Sequence, residues 1–181
     1  IGESIKISGE EADCMYSGIM IDTNNFMTKT GVRTFEAAAF LRRNGADVTR
    51  VRKLFREDAA DYKAKADAVS QAEIYRGVFA ISVCNSAGLQ SPTIAGAQAA
   101  NELLNIRGVK ASFVLTEYQG QVFVSARSID EVNVQVIMEK MGGGGHLGTA
   151  GCQLSGVSLE DGKTMVRETL DRMIGEGDLV V

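Results

Sequence analysis

The sequence predicts an α/β protein in which a mixed sheet carries packed helices. Two observations carry most of that expectation. Residues 77–181 alternate period-two apolar runs with 3.6-period runs in the order β-α-β-β-α-β-α. Within them, "ASFVLTE" and "QVFVSAR" flank "YQG", which reads as a hairpin. A third observation, the run "KMGGGGHLGTAG" at 140–151, marks the place where that sheet meets its chemistry.

Taken in order, "YSGIMIDT" has the apolar core of a buried strand and ends on Asp22 and Thr23. Thr34 can cap the helix "FEAAAFLRRNG", and Gly45 can stop it in the left-handed conformation glycine tolerates. Asp47 can cap a second helix with Val48, Val51, Leu54 and Phe55 on one face. Residues 59–76 are rich in Ala, Asp and Lys, which favours a helical connector between a first unit, 1–58, and a second, 77–181.

In the second unit "VFAISV" is a strand. Ser91 and Pro92 start a helix with Ile94, Ala97, Ala100 and Leu104 on one face, ended by Gly108. After the hairpin, Ser128 and Glu131 have capping-box spacing and open a helix through Met141. "AGCQLSG" is a short strand. Ser158 and Asp161 open a last helix that turns Leu159, Val166, Leu170 and Met173 inward.

The bulk numbers exclude some functions. A formal charge of −4 with 23% charged residues gives no global basic field, so duplex DNA is not an expected partner. No apolar run approaches a membrane span. The chain begins with Ile, which suggests a processed or excised piece. Cys14, Cys84 and Cys152 are an odd count with no CxxC, which points to reduced thiols.

Three groups of residues carry candidate chemistry. A helix needs one glycine to stop, yet four precede His146. Backbone without Cβ atoms lets N–H groups approach an anion, and the imidazole can bond a phosphate oxygen or stack on a base. The alternative is a flexible loop with an exposed histidine. The glycines end a helix instead of opening one, so the run is neither a Walker loop nor a dinucleotide fingerprint.

Arg127 and Ser128 close the strand before the helix that delivers the glycines. Arg127 offers a planar donor fork for phosphate. Ser128 serves phosphate or caps the helix, and Asn133 is a weaker binding candidate or a solvated helix residue. Asp22 is a hard ligand suited to Mg²⁺ or Mn²⁺, or the cap of a turn. Arg33, Arg42, Arg43, Arg50, Arg52, Lys53 and Arg56 form a basic cluster that reads as a solvated surface, with Arg33 the one phosphate-facing option.

Together these residues resemble a known family. "GIMIDTNNFMTKTGVRTFEAAAFLRRNGAD" resembles the closing motif of the DHH phosphoesterase domain. "SARSIDEVNVQVIMEKMGGGGHLGTAG" resembles the DHH-associated substrate-binding domain. Within the family both stretches are most similar to its membrane-anchored cyclic-di-AMP phosphodiesterases.

The resemblance implies an α/β architecture: residues 1–58 as the end of a DHH catalytic domain, a helical connector, and a complete substrate-binding domain at 77–181. It implies hydrolysis of cyclic-di-AMP to linear pApA with two Mn²⁺ ions, Asp22 matching the last metal-ligand Asp. Arg127, Ser128, Asn133, Gly143, Gly144, Gly145 and His146 match substrate-binding positions.

The remaining metal ligands, two membrane helices and a sensor region would lie upstream, making this piece a cytoplasmic part of a membrane-anchored protein, inactive alone. A homodimer is compatible with the family. Cleavage of short oligoribonucleotides from an end, or nucleotide binding without catalysis, are the competing readings. Gly148 and Gly151 stand where the family is expected to carry bulkier residues.

Overall fold

The computed structural model describes residues 6–180, which divide into two units on either side of the Glu57–Asp58 boundary. The first unit is helical. α1 (Gly9–Asp22) opens on a capping box in which the Ser8 hydroxyl takes the Glu11 N–H and the Glu11 carboxylate takes the Ser8 N–H. The strand expected at "YSGIMIDT" is therefore the second half of a helix. Ala12, Tyr16 and Ile19 fall at helical spacing and form the unit's core with Ile7, Leu41 and Ala46. The short apolar run "IMI" does not discriminate between strand and helix, whereas the Ser-x-x-Glu spacing upstream of it does.

α2 (Val32–Arg43) begins three residues earlier than expected, with Thr34 at its third position accepting the Gly31 N–H. Gly45 follows it with a φ of +99°. α3 (Val48–Leu54) is capped by Asp47, whose carboxylate accepts from the Thr49 and Arg50 N–H groups. Of its expected apolar face only Val51 is buried, and Leu54 is 66% exposed.

The second unit is a six-stranded sheet with helices on both faces, ordered β1-β2-β3-β4-β6-β5. α4 (Ala59–Ser70) is the helix expected as a connector; it packs on the sheet of this unit. β1 (Glu73–Tyr75), a strand the sequence reading did not anticipate, pairs antiparallel with β2 (Phe79–Cys84). α5 (Pro92–Leu103) then crosses to β3 (Ala111–Tyr118), parallel to β2. β4 (Gln121–Ser128) returns through a two-residue turn in which Gln119 and Gly120 both have positive φ. α6 (Val134–Lys140), β5 (Gly144–His146), β6 (Thr149–Ser155) and α7 (Leu159–Glu176) complete the unit.

The two sheet faces are filled differently. Phe79, Ile81, Phe113, Leu115, Val122 and Val124 meet α6 and α7, whose Ile137, Met138, Val166, Leu170 and Met173 are buried as the capping-box spacing of Ser158 and Asp161 predicts for α7. The opposite face carries small residues under α4 and α5. There Ser82 and Ser112 donate their hydroxyls to the carbonyls of Ala68 and Ala100, tying each helix down through an otherwise free acceptor.

The buried side of α5 is Pro92, Ala95, Gly96, Ala99, Ala100 and Leu103, so Ile94 and Ala97 are not on it as expected. Close approach to the sheet selects the small residues: a Cβ at Gly96 would sit 2.2 Å from Thr116 Oγ1. No helix among the described residues is long and apolar enough to cross a membrane.

Asp13 ties α1 to α3. Its carboxylate accepts from the Asp47 N–H at 2.6 Å and from Arg50 Nε at 2.6 Å. The Arg50 hydrogen bond, then that of Asp47, hold the carboxyl below its usual range. A folded pKa below the unfolded value of about 3.9 adds stability above that pH, which is lost as pH falls through the folded pKa. Thermal unfolding followed by circular dichroism should show this unit weakening below about pH 4. Asp13→Asn should already be weakened at neutral pH and should lose most of that acid-side fall.

Candidate functional site

The glycine run becomes intelligible residue by residue. Gly142 follows α6 with a φ of +81°, the left-handed stop. A Cβ at Gly143 would lie 2.1 Å from the Gly151 carbonyl oxygen and 2.5 Å from the Cys152 side chain. A Cβ at Gly145 would lie 2.5 Å from the Ala150 Cα, and its φ is +150°. Three of the four glycines are thus required by the fold itself. Gly144 alone has neither constraint: a Cβ there would meet nothing within 4 Å, and its φ is not left-handed. The run is not a loose loop: its last two glycines and His146 form β5, at the edge of the sheet.

Register then assembles a face. His146 pairs with Thr149, and Thr149 pairs with Arg127, so the three occupy one row across β5, β6 and β4. The next row on the same face is Gly144, Gly151 and Ser125, bare backbone except for one hydroxyl. Gly148 and Gly151 hold this geometry in place. A Cβ at Gly148 would meet the Ser128 oxygen at 2.7 Å, and one at Gly151 the Val124 oxygen at 2.7 Å. These two glycines let β6 lie tight against β4 and do not loosen it.

Arg127 is the only formally charged side chain on β4, β5 and β6. It is partly buried, and its Nη1 donates to the Ala126 carbonyl at 2.9 Å and to the Ala150 carbonyl at 3.5 Å. Among the described residues no carboxylate pairs with it. Burial holds its pKa below the ordinary arginine value, the mark of a cation short of counter-charge. His146 is exposed at the other end of the row.

Ser128 points to the opposite face, where its Oγ accepts the Val132 N–H at 3.1 Å and its own N–H donates to the Gly148 carbonyl at 3.0 Å. It caps the turn that leads to α6, while the helix itself starts later than expected, at Val134. Asn133 caps that helix, accepting the Gln135 N–H at 3.1 Å. The Val134 N–H donates to the Leu147 carbonyl at 3.0 Å, fastening the segment after His146 to the start of α6. Cys84 and Cys152 are buried thiols whose desolvation disfavours the thiolate, Cys152 pushed up to about 11.

Asp22 lies in the first unit, exposed at the C-terminal end of α1. Behind it the buried Thr23 donates its hydroxyl to the Ile19 carbonyl at 2.6 Å and accepts the Phe26 N–H at 2.9 Å. Asn24, Asn25 and Phe26 follow with φ values of 46°, 58° and 66°. Three successive non-glycine residues in this region are costly, and they hold a fixed turn after the carboxylate. Among the described residues no three His, Cys, Asp or Glu side chains gather to hold a metal. A two-ion site does not fit this donor set, and Arg33 is an exposed residue of α2.

Comparison with known proteins accords with this architecture. The profile of the DHHA1 domain matches residues 80–176, and the chain belongs to that family. Over 167 residues it is 42% identical to the cyclic-di-AMP phosphodiesterase GdpP of Geobacillus thermodenitrificans (strain NG80-2), covering 92% of this chain and 25% of that protein. Over 162 residues it is 41% identical to the cyclic-di-AMP phosphodiesterase PdeA of Listeria monocytogenes, covering 89% of this chain and 24% of that protein. The chain therefore spans about a quarter of the length of these relatives. The fold is shared with an exopolyphosphatase-related protein of Bacteroides fragilis, at a TM-score of 0.80 and 21% identity over 92% of this chain and 51% of that one.

The glycine geometry makes a direct prediction. Gly143→Ala and Gly145→Ala should each cost about 1–3 kcal/mol or more in urea unfolding, because backbone must move to admit the methyl. Gly144→Ala should stay within about 0.5 kcal/mol of the parent, as expected of a surface change.

Proposed function

We propose that this chain is the substrate-binding part of a phosphodiesterase that hydrolyses cyclic-di-AMP to linear pApA. Arg127 carries the reading: a desolvated guanidinium with no carboxylate partner among the described residues, on strands with no other formal charge, beside bare backbone at Gly144 and an exposed imidazole at His146. An unpaired, partly buried cation is destabilising by itself, and a phosphate that meets its planar fork removes that cost. Gly144 lets the phosphate come close to the edge strand, and His146 bonds a second oxygen or stacks on an adenine. The names of the relatives supply the substrate class.

The chemical step belongs to groups this chain does not gather. Mn²⁺ is the proposed cofactor of the whole enzyme, with Asp22 as one ligand. The whole protein is proposed to be membrane-anchored, with this part on the cytoplasmic side.

Calorimetric titration of the chain with cyclic-di-AMP should show binding in EDTA, with no requirement for Mn²⁺. Arg127→Ala should weaken that binding by about 1.5–3 kcal/mol, the value of a charge-assisted hydrogen bond. An unchanged affinity removes Arg127 from the site. Incubation of the chain with cyclic-di-AMP and Mn²⁺ should yield no pApA by chromatography; clear turnover would place a complete catalytic centre within these residues.

A further inference from the structure

The face that carries Arg127 continues along β4 and β6 beyond the cradle. Residues two and four positions back on β4 share its side of the sheet, and these are Ser125 and Phe123. Gly151 and Gln153 lie opposite them on β6. With Thr93 from the first turn of α5 they line a cavity of about 220 Å³. Complete small-molecule sites begin at about 300 Å³, so this cavity is sized for part of a ligand whose remainder is held elsewhere.

Its chemistry differs from that of the cradle. Thr93, Phe123, Ser125, Gly151 and Gln153 carry no formal charge, so the cavity offers nothing to a second phosphate. Phe123 is partly buried, with Tyr118 tilted against it at 6.3 Å between ring centres. Gln153 is exposed and brings an amide that both donates and accepts. An aromatic ring and an amide beside bare glycine backbone suit a planar, hydrogen-bonding heterocycle.

The placement is built into the packing. Thr116 pairs with Phe123 across β3 and β4. Gly96, one turn after Thr93, lets α5 close on Thr116 where a Cβ would sit 2.2 Å from its hydroxyl. The same approach brings Thr93 to the cavity rim. Four residues of strand separate Phe123 from Arg127, about 13 Å, a separation suited to a phosphate at one end and the distal base of a dinucleotide at the other.

We infer that the Phe123–Ser125–Gln153 cavity receives the second nucleoside of a dinucleotide whose phosphate is held at Arg127, so that this face distinguishes dinucleotides from mononucleotides. The inference rests on the cradle reading of Arg127, and the test separates the two. Titrations use adenosine 5′-monophosphate and cyclic-di-AMP, with thermal midpoints recorded for every variant. The parent should bind cyclic-di-AMP more tightly than the mononucleotide.

Phe123→Leu keeps apolar volume but loses the stacking surface. It should weaken cyclic-di-AMP by about 5- to 150-fold, the span of one base–aromatic stack, and leave the mononucleotide within about twofold. Gln153→Ala, which removes the exposed amide and no core atom, should weaken cyclic-di-AMP while sparing the mononucleotide, and covers the case in which Phe123→Leu fails to fold. Arg127→Ala should weaken both ligands.

Unchanged cyclic-di-AMP affinity in the Phe123 and Gln153 variants, with Arg127→Ala still weakening both, overturns the cavity and leaves the cradle standing. Equal loss of both ligands in the folded Phe123 variant also overturns it, since the ring would then belong to the phosphate end. No effect of Arg127→Ala on either ligand overturns the cradle, and the inference with it.

Discussion

At Gly143 and Gly145 the backbone lies so close to β6 that a methyl group would penetrate the Gly151 carbonyl oxygen or the Ala150 Cα. The rest of the candidate site follows from that contact. Because the strand after α6 can press onto β6, His146 comes into register with Thr149, and Thr149 already pairs with Arg127 on β4. A bulkier residue at either position would push β5 away, and the row would lose its imidazole. Gly148 and Gly151 perform the matching service between β6 and β4. Four separate steric requirements thus converge on one result, a flat edge of sheet with one cation and one imidazole on the same row.

Electrostatics completes what sterics begins. An arginine on a sheet face usually finds a carboxylate or reaches solvent, and Arg127 does neither fully. Its Nη1 leans on two backbone carbonyls, which satisfy hydrogens without cancelling charge. No other residue of β4, β5 or β6 carries a formal charge. Such a group is a stability cost that a packed protein tolerates where an anion is expected to arrive. Ser128, its neighbour in sequence, points the other way because strand side chains alternate, and its hydroxyl oxygen accepts the Val132 N–H.

The sequence made the second unit largely legible because its signals are local. The Gln119-Gly120 turn, the Ser158–Asp161 box and Pro92 each fix an element by their own chemistry. What escaped reading was set by distant partners. β1 is a strand only because Glu73–Tyr75 pairs with β2, and nothing in three residues announces that. The buried side of α5 shifted by one position because the sheet beneath it demands Gly96, not Ile94. The second half of the first helix reads as a strand because the apolar run "IMI" is too short to carry a period, while the informative pair, Ser8 and Glu11, lies upstream of it. At the site, Arg127 and His146 were visible as residue types. Their common row was not, since register across three strands is a tertiary property.

The two units differ in what holds them. The sheet unit buries a continuous apolar core on one face and a second, small-residue core on the other. The helical unit buries only Ala12, Leu41 and Ala46 in its cluster, and leaves Val32 at 76% and Ile21 at 66% exposure. Its geometry leans instead on the Asp13 carboxylate bridging Arg50 and the Asp47 N–H. A unit so poor in buried apolar area is marginal by itself. All the nucleotide-facing candidates except Asp22 sit in the unit with the fuller core. Loss of order in the helical unit would therefore remove a metal-ligand candidate while leaving the Arg127–Thr149–His146 row intact. The proposed nucleotide-binding row and the proposed metal ligand Asp22 therefore lie in parts with separate sources of stability.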